Sequence, residues 1–587
     1  MKPQFVATAA ALSLSFAAAP QASALTSETV RNAPVNAGYS VLSSSEKRKY
    51  RAIYNAIEIS DWTEANRLID NVKSGPMKSM ARAELYLAAN SPRVEANDLS
   101  RLLNEAPWLP QAERLESLAI KRGATGLPQR PVSQQFSYLG ESPRRKMPNL
   151  IDGGNAASVR DRIRSYIKND QSFEAEQYLN ANSGILSPDA LTEMQHRVSW
   201  SYYIENDDRN AQRLSAIARG GSGVWAAQAA WSHGMSSWRL GDYANAYESF
   251  DLVARRADND DMRAAGLYWS ARAAMASGKP QSVQLRMQNA ARLPETFYGI
   301  LASESLGMEP IAKKQIQSSS INWKKLKREN NVNVAVGLAE IGEVARANDA
   351  IKFQARIGDA TDHGSLANLA GQLNLPATQL WLGHYGPSRD HSDALARYPM
   401  PNWQPLRGWR IDPALAFAVS LQESQFRTAV VSPAGARGLM QIMPGTASYL
   451  VRNGVQASAG DLNNPATNLE FGQSYLERLR DNPVTGGLLP KVIAAYNAGP
   501  TPVSRWNSEI RDNGDPLLYM ESVPFWETRG YLTIILRNYW IYEMRGNRDG
   551  GSKKALAQSL WPRFPGSNGI SQPERRAPMN SENSFAN

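Results

Sequence analysis

From residue 27 to about residue 390, the chain is a long run of helix-forming residues with few strand-like segments. Ala, Leu, Arg, Glu and Gln are abundant here, and short amphipathic stretches are separated by Gly, Asp or Asn turns. The whole chain has 587 residues, more than one hydrophobic core supports, so several packed units are expected. This region therefore predicts an all-α fold made of many short helices.

A loosely repeated spacing indicates how these helices are arranged. An aromatic residue is followed by a small residue within the next turn and by a large apolar residue one turn later. The two better copies and one poorer copy are Trp62, Ala65 and Ile69; Tyr243, Ala246 and Phe250; and Phe173, Ala175 and Leu179. Small residues let two helices approach, as in helix-pair solenoids. The spacing predicts a ring-like αα-superhelix, with an irregular all-α domain as the alternative.

The first residues have the features of an export signal. An apolar run from Phe5 to Ala19 is followed by the cleavage motif Ala22-Ser23-Ala24. We therefore expect residues 1–24 to be removed as a signal peptide and the mature chain to be periplasmic. A membrane anchor is the alternative, although the run is short for one. No later stretch is long and apolar enough to predict a transmembrane segment.

Residue usage narrows the chemistry and the partners. With no cysteine, the chain has no disulfide, zinc–thiolate site or thiol nucleophile. All five histidines precede residue 394, so the C-terminal region also lacks the usual Ser-His and zinc sites, and we expect no metal or cofactor there. The carboxylates, hydroxyls and aromatics that remain suit glycoside chemistry. The net charge of +10 favours an anionic polymer, and export argues against nucleic acid.

One carboxylic acid stands at the end of a predicted helix. Asp412-Pro413 is a helix start, with Asp as the N-cap and Pro at the first helical position. Leu415, Ala416 and Val419 form an apolar stripe, and Glu423 falls on the same stripe. Burial and the negative end of the helix dipole both raise the pKa of such a carboxyl, as a general acid requires. A glutamate at a frayed helix end is the alternative.

Four motifs in this order carry a family resemblance. They are Glu423-Ser424-Gln425-Phe426, Ser432 to Ala436 with Gly438 to Ala447, Ala495-Tyr496-Asn497-Ala498-Gly499, and Pro524-x-x-Glu527-Thr528-Arg529-x-Tyr531. Together they resemble the large soluble lytic transglycosylases, whose catalytic domain is related to goose-type lysozyme. The segment from Phe297 to Ala302 is similar to the start of that type's linker domain. The helical region resembles the family's ring mainly in length and composition.

The resemblance implies roles for individual residues. Glu423 is the single general acid and base, and Ser432, Gln441, Met443, Tyr496 and Asn497 contact the glycan. Glu527 is a supporting carboxylate beside the substrate. The implied substrate is peptidoglycan, cut between N-acetylmuramic acid and N-acetylglucosamine with a 1,6-anhydro product. Proteins of cell-wall synthesis or remodelling are candidate partners.

These considerations divide the chain into five parts. After the signal peptide we expect a superhelical domain at 25–296, a helical linker domain at 297–393 and a lysozyme-like, mainly α catalytic domain at 394–550. The Gly-, Ser- and Asn-rich residues 551–587 are expected to be a largely disordered tail. A proline- and glycine-rich stretch from 126 to 155 predicts an irregular crossing between blocks of helices.

Each assignment has an alternative that the sequence leaves open. Met440, Ile442 and Met443 are also suited to a core, Tyr496 to a core position, and Glu527 to a first helical turn. A muramidase, which delivers water, would need a second acid such as Asp461 or Glu470. A non-catalytic scaffold that binds glycan is the alternative from another class.

Overall fold

The computed structural model describes residues 37–566, apart from residues 152, 311, 314–320 and 389–392. The predicted signal peptide and residues 567–587 lie outside the described residues. Within the described ranges the secondary structure is almost entirely helical, which confirms the predicted all-α class. The only paired strands there are two short ones, β1 (Ser137–Tyr138) and β2 (Tyr385–Gly386), which run antiparallel.

The first half of the chain forms two blocks of helices. The first block contains α1 (Ser44–Glu58), α2 (Trp62–Asp70), α3 (Pro76–Leu87), α4 (Ala96–Glu105) and α5 (Ala112–Lys121). The second contains α6 (Ala156–Ile167), α7 (Ser172–Asn182), α8 (Pro188–Ile204), α9 (Asp208–Arg219), α10 (Trp225–Arg239), α11 (Tyr243–Arg256), α12 (Asp260–Ala276), α13 (Val283–Ala291) and α14 (Phe297–Ser305). In the second block each helix packs on the next and often on the one after, which is superhelical stacking.

The repeated spacing has the predicted packing role. Asp61 and Asp242 each accept a backbone hydrogen bond as the N-cap of the helix that follows. The small and large residues that follow, Ala65 with Ile69 and Ala246 with Phe250, are all buried. Among the poorer copy's residues, Phe173 is 61% exposed, so its aromatic ring does not take part in the core. The predicted superhelix is therefore confirmed, and helix pairing explains its spacing.

The helices that follow pack against the first block of helices. Helices α15 (Trp323–Leu326), α16 (Asn330–Ile341), α17 (Val344–Ile357), α18 (His363–Gln372) and α19 (Pro376–His384) share one core with α1 to α5. Helix α16 lies so close to α3 that a Cβ at Gly337 would meet the sulfur of Met77 at 2.7 Å. Only glycine permits this approach without a shift of its neighbour.

The domain limits drawn from the sequence do not coincide with the cores. Helix α14 (Phe297–Ser305), expected to open the linker domain, packs instead on α12 and α13 and belongs to the second core. Helices α15 to α19 belong with α1 to α5. The boundary at residue 296 therefore separates neighbouring helices of one packed unit, because helices that follow each other along the chain need not pack in the units that composition suggests.

The C-terminal unit contains α20 (Pro413–Ser424), α21 (Pro444–Arg452), α22 (Pro465–Arg480), α23 (Leu489–Ala498), α24 (Pro500–Glu509), α25 (Pro516–Ser522), α26 (Trp526–Arg545) and α27 (Ser552–Ala557). Its core is continuous with that of α6 to α14. The expected disordered tail does not begin at 551: α27 packs on α14, and Phe564 is buried. Apolar side chains of this segment, Leu556 among them, are buried against the rest of the protein. The composition of the segment alone does not predict this packing. Of the helices in the described ranges, none combines the length and apolar character that a bilayer crossing needs.

The described residues of the predicted crossing, 126–155, contain no helix and connect the C-terminal unit to the superhelix. Arg145 forms an ion pair with Glu521 of α25, with Nη1–Oε2 and Nη2–Oε1 distances of 2.7 and 3.1 Å. Both side chains are almost fully buried, and Tyr298 of α14 donates a further hydrogen bond to Glu521 at 2.7 Å. The Arg145 guanidinium also stacks 4.8 Å from the ring centre of Trp231 in α10.

We predict that Arg145→Met lowers the free energy of unfolding by about 3–5 kcal/mol, because the buried Glu521 carboxylate loses its cation. Arg144→Met is the matched control: Arg144 is about half exposed, and its ion pair with Glu141 contributes little. Chemical denaturation of the two variants measures the difference. Equal stabilities would show that Arg145 does not hold the two units together.

Candidate active site

The helix that carries Glu423 begins as the sequence predicts. Asp412 accepts a hydrogen bond from the backbone N–H of Ala414 at 2.9 Å, and Pro413 is the first helical residue. The Asp412 carboxylate is itself held by Tyr539 at 3.0 Å and by Arg548 at 2.7 Å. These contacts anchor the start of α20 against α26 and the loop after it.

The end of α20 is equally well defined. Gln425 and Phe426 both have left-handed backbones, with φ of 53° and 59°, so the helix stops abruptly after Ser424. Phe426 is buried and holds this turn against the core. Glu423 therefore lies in the last helical turn at a fixed position, and the frayed end considered as an alternative is not observed.

The Glu423 carboxyl is partly buried and has one hydrogen-bond partner among the residues that the structure describes. The Tyr531 hydroxyl donates to Glu423 Oε1 at 2.6 Å. Desolvation raises the pKa of Glu423 to about 7, the hydrogen bond from Tyr531 opposes this rise, and the nearby Glu527 carboxyl adds to it. A carboxyl with this pKa is protonated often enough near neutral pH to act as a general acid. Tyr531 belongs to the fourth motif, but the sequence alone predicted no role for it.

The loop between α20 and α21 has a folded backbone, with antiparallel bridges from Val431 to Arg437 and from Arg437 to Ile442. Gly438 has a φ of 72°, and a Cβ there would lie 2.2 Å from the carbonyl oxygen of Leu462. The buried amide of Asn468 accepts from the Met440 N–H at 2.8 Å and donates to the carbonyls of Arg437 and Leu462. Asn468 thus fixes the loop, a role that the sequence analysis missed.

Three of the predicted glycan contacts lie on this loop. Ser432 accepts a hydrogen bond from the Ala436 N–H at 3.0 Å, and Gln441 Nε2 donates to the carbonyls of Val430 and Gly438 at 3.3 and 2.8 Å. Met443 is 42% exposed at the start of α21. By contrast, Met440 and Ile442 are fully buried core residues. The loop therefore alternates core residues with residues that remain accessible.

The other predicted contacts lie on α23 and α26. The Tyr496 hydroxyl donates to the Met440 carbonyl at 2.7 Å, and the Glu423 carboxyl raises the pKa of Tyr496 further above the value set by burial. Asn497 Oδ1 accepts from the Thr528 hydroxyl at 2.6 Å, which joins the third and fourth motifs. Glu527 is exposed in the first turn of α26, and partial desolvation raises its pKa. Glu423, Tyr496, Glu527 and Tyr531 thus form one electrostatic group.

Glu470, one of the two candidates for a second acid, is held elsewhere. Its carboxylate is buried, pairs with Arg410 at 2.7 Å and accepts hydrogen bonds from Arg407 N and Gln473 Nε2. A carboxylate that is buried, ion-paired and held by three donors is poorly suited to activating water. Within the described ranges, no three His, Cys, Asp or Glu side chains are grouped so as to hold a metal ion.

The fold is thus an all-α superhelix joined to a C-terminal unit in which the Glu423 carboxyl, with its raised pKa, lies at the end of a helix. The family model described as "Transglycosylase SLT domain" matches residues 403–517. A soluble lytic murein transglycosylase of Salmonella typhimurium is 37% identical over 177 residues, which are 30% of this chain and 25% of that protein. The chain thus spans only a quarter of this relative's length.

Two further comparisons extend this result. An endo-type membrane-bound lytic murein transglycosylase A of Klebsiella pneumoniae is 31% identical over 140 residues, which are 21% of this chain and 69% of that protein. The crystal structure of the 70 kDa soluble lytic transglycosylase of Escherichia coli has the same fold, with a TM-score of 0.52 at 19% identity over 89% of this chain and all of that one. The chain belongs to the lytic murein transglycosylase family.

The raised pKa of Glu423 leads to a stability prediction. A carboxyl whose pKa is higher in the folded than in the unfolded chain stabilises the fold at low pH, and this contribution is lost as pH rises through the folded pKa. With an ordinary pKa of 4.5 and a folded pKa of about 7, the loss develops between these two values. We therefore expect Glu423→Gln to be more stable than the wild type at pH 8, by on the order of 1–3 kcal/mol, and much less so at pH 4.5.

Thermal unfolding of both proteins at the two pH values measures this effect. Glu509→Gln, at an exposed position of the same unit, is the matched control and should give the same small difference at both pH values. A Glu423→Gln effect that is independent of pH would contradict the buried state of this carboxyl.

Proposed function

We propose that this protein cleaves the β-1,4 bond between N-acetylmuramic acid and N-acetylglucosamine in peptidoglycan and leaves a 1,6-anhydromuramoyl end. The observation that carries the proposal is the partly buried acid Glu423 at the end of α20, with its pKa raised to about 7. Membership in the lytic murein transglycosylase family supports the same substrate class.

The first step is protonation of the leaving group. Because Tyr531 donates to Oε1 of Glu423, the acidic proton is carried on Oε2 and is passed to the glycosidic oxygen of the departing N-acetylglucosamine. The acetamido carbonyl oxygen of the muramic residue attacks C1 as the C1–O bond breaks. The substrate thereby supplies the second function that glycosidases usually obtain from a second carboxylate.

The second step returns the proton. Glu423, now a carboxylate stabilised by the hydroxyl of Tyr531, takes the proton from the C6 hydroxyl of the same muramic residue. The C6 oxygen closes onto C1, the acetamido oxygen leaves C1, and no water is consumed. The ring closure is intramolecular, so orientation of the sugar replaces an external nucleophile. This cycle requires no cofactor.

The predicted contact residues are assigned to the walls of this site. Gln441 and Met443 on the folded loop, with Ser432 near the lactyl or acetamido group, line one side of the glycan. Tyr496 and Asn497 contact the sugar from the opposite side. The Glu527 carboxyl adds negative charge beside the Glu423 carboxyl. Support comes from their positions: Tyr496 and Glu527 are electrostatically coupled to Glu423, and Met443 is accessible at the loop's end.

Localisation follows from the same proposal. Peptidoglycan lies outside the cytoplasmic membrane, and the export signal predicted for residues 1–24 would deliver the chain to the periplasm. Proteins of cell-wall synthesis or remodelling are the partners expected there. The positive net charge suits a polymer whose stem peptides carry carboxylates.

We predict that Glu423→Gln lowers turnover by at least about 10²–10⁴-fold, because the amide has the same shape but no proton to donate. The measurement is release of soluble muropeptides from purified sacculi. Asp461→Asn is the matched comparison and should keep most of the activity. If Asp461→Asn were the inactive variant and Glu423→Gln the active one, the acid would be misassigned.

The product distinguishes the proposal from its rivals. Released muropeptides should lack a reducing end and be one water lighter than hydrolysed counterparts, as mass spectrometry shows directly. Reducing-end muramic acid as the main product would indicate a muramidase with the same fold. Binding of sacculi without any release would indicate a non-catalytic scaffold.

A further inference from the structure

Helix α26 carries two side chains that belong to the catalytic group, Glu527 and Tyr531. They are four residues apart, so they share one face of the helix. Arg529 lies two residues from each, about 160–200° around the helix axis, and therefore points in nearly the opposite direction. The contacts that hold Arg529 therefore oppose rotation of α26 and help to set the direction of Tyr531.

Arg529 is held between two indole rings from different parts of the fold. Its guanidinium carbon lies 4.4 Å from the ring centre of Trp200, on helix α8 of the superhelix, and 5.1 Å from that of Trp526. The side chain is only 6% exposed, and burial lowers its pKa to about 10. Among the described residues, its hydrogen bond is one long contact, 3.4 Å, to the backbone carbonyl of Glu521. With so little hydrogen bonding, this buried guanidinium is held by the faces of the aromatic rings and by the negative charge of Glu521.

On the superhelix side of this contact, Trp200 is itself packed against other side chains. Trp200 stacks on Tyr203 with ring centres 4.8 Å apart, and the guanidinium of Arg239 covers the next ring at 3.6 Å. The Tyr203 hydroxyl is hydrogen-bonded to Ser522 of α25 at 2.7 Å, just before α26 begins. The order of the stack is therefore Trp526, Arg529, Trp200, Tyr203 and Arg239, and it crosses from the C-terminal unit into the superhelix.

We propose that Trp200 is a positioning residue for the catalytic carboxyl: by clamping Arg529 against Trp526, it fixes the rotation of α26 that aims Tyr531 at Glu423. The superhelix thereby contributes to the chemistry as well as to the shape of the molecule. The inference rests on the proposed function of Glu423, but the contacts that it uses do not involve the substrate.

The consequence for Glu423 has a definite sign. The titratable groups that face its carboxyl are Tyr531 and Glu527 on α26 and Tyr496 on α23. Of these, the hydrogen bond from Tyr531 opposes the raised pKa of Glu423, and Glu527 reinforces it. Rotating Tyr531 away therefore raises the pKa of Glu423, and the alkaline limb of the activity profile, which reports loss of the acidic proton, moves to higher pH.

The experiment compares Trp200→Ala with Tyr531→Phe, which removes the hydrogen bond itself. For Trp200→Ala we expect kcat on soluble glycan strands to fall by about tenfold or more while KM changes little, since the displaced group acts on the acid and not on binding. The alkaline limb should move upward by about half a pH unit or more, in the same direction as for Tyr531→Phe. Trp200→Phe keeps an aromatic face and should restore most of both values.

Trp323→Ala is the matched control. Trp323 is also partly buried, but it packs against Tyr39 in the other core. This variant tests whether the loss of any such indole moves the pH profile, and we expect no movement. An alkaline limb that stays at the wild-type position in Trp200→Ala, at whatever level of activity or stability, would overturn the proposal.

A second readout separates this inference from the proposed function. The Glu423 carboxyl can be titrated by ¹³C NMR in full-length protein labelled at glutamate, with Glu423→Gln to assign the signal. A higher pKa in Trp200→Ala than in the wild type supports the positioning role even if no transglycosylase product is found. An unchanged pKa rejects that role even if the wild type forms the anhydro product.

Discussion

Helix α26 is buried on most of its faces, and several of its polar side chains have partners in other elements. Thr528 bonds Asn497 of α23, Arg529 stacks on Trp200 of α8, Tyr531 bonds Glu423, and Tyr539 bonds Asp412. A buried polar group without a partner is costly, so each of these contacts stabilises the fold. One helix thereby connects the superhelix, both ends of α20 and the third motif.

The same burial explains how one carboxylic acid is prepared for proton transfer. Desolvation of Glu423 raises its pKa. The hydrogen bond from the Tyr531 hydroxyl limits this rise, so that the pKa stays close to neutral pH. Glu470, in the same C-terminal unit, has the opposite surroundings, because Arg410 neutralises its charge. The difference between these two glutamates lies in their partners, and it decides which of them is available for chemistry.

The superhelix and the C-terminal unit are not independent modules in this protein. The crossing segment places Arg145 against Glu521, and Phe297 stacks on Trp540 of α26 with ring centres 5.0 Å apart. A charge pair buried at the junction leaves an unpaired charge if either side is removed. The arrangement explains why a boundary drawn at a change of composition, near residue 296, falls within a packed unit.

The sequence by itself determined the local features. The cap at Asp412, the helical spacing that ends on Glu423, the small and large residues of the helix pairs and the four motifs all depend on neighbours within a few residues, which periodicity and capping rules capture. Tertiary structure alone decided which distant side chains meet. The partnership of Tyr531 with Glu423, the clamp of Asn468 on the loop, the return of α15 to α19 to the first core and the packing of 551–566 join residues far apart in the chain. Such contacts depend on how whole helices are oriented, and no spacing rule within one segment contains that information.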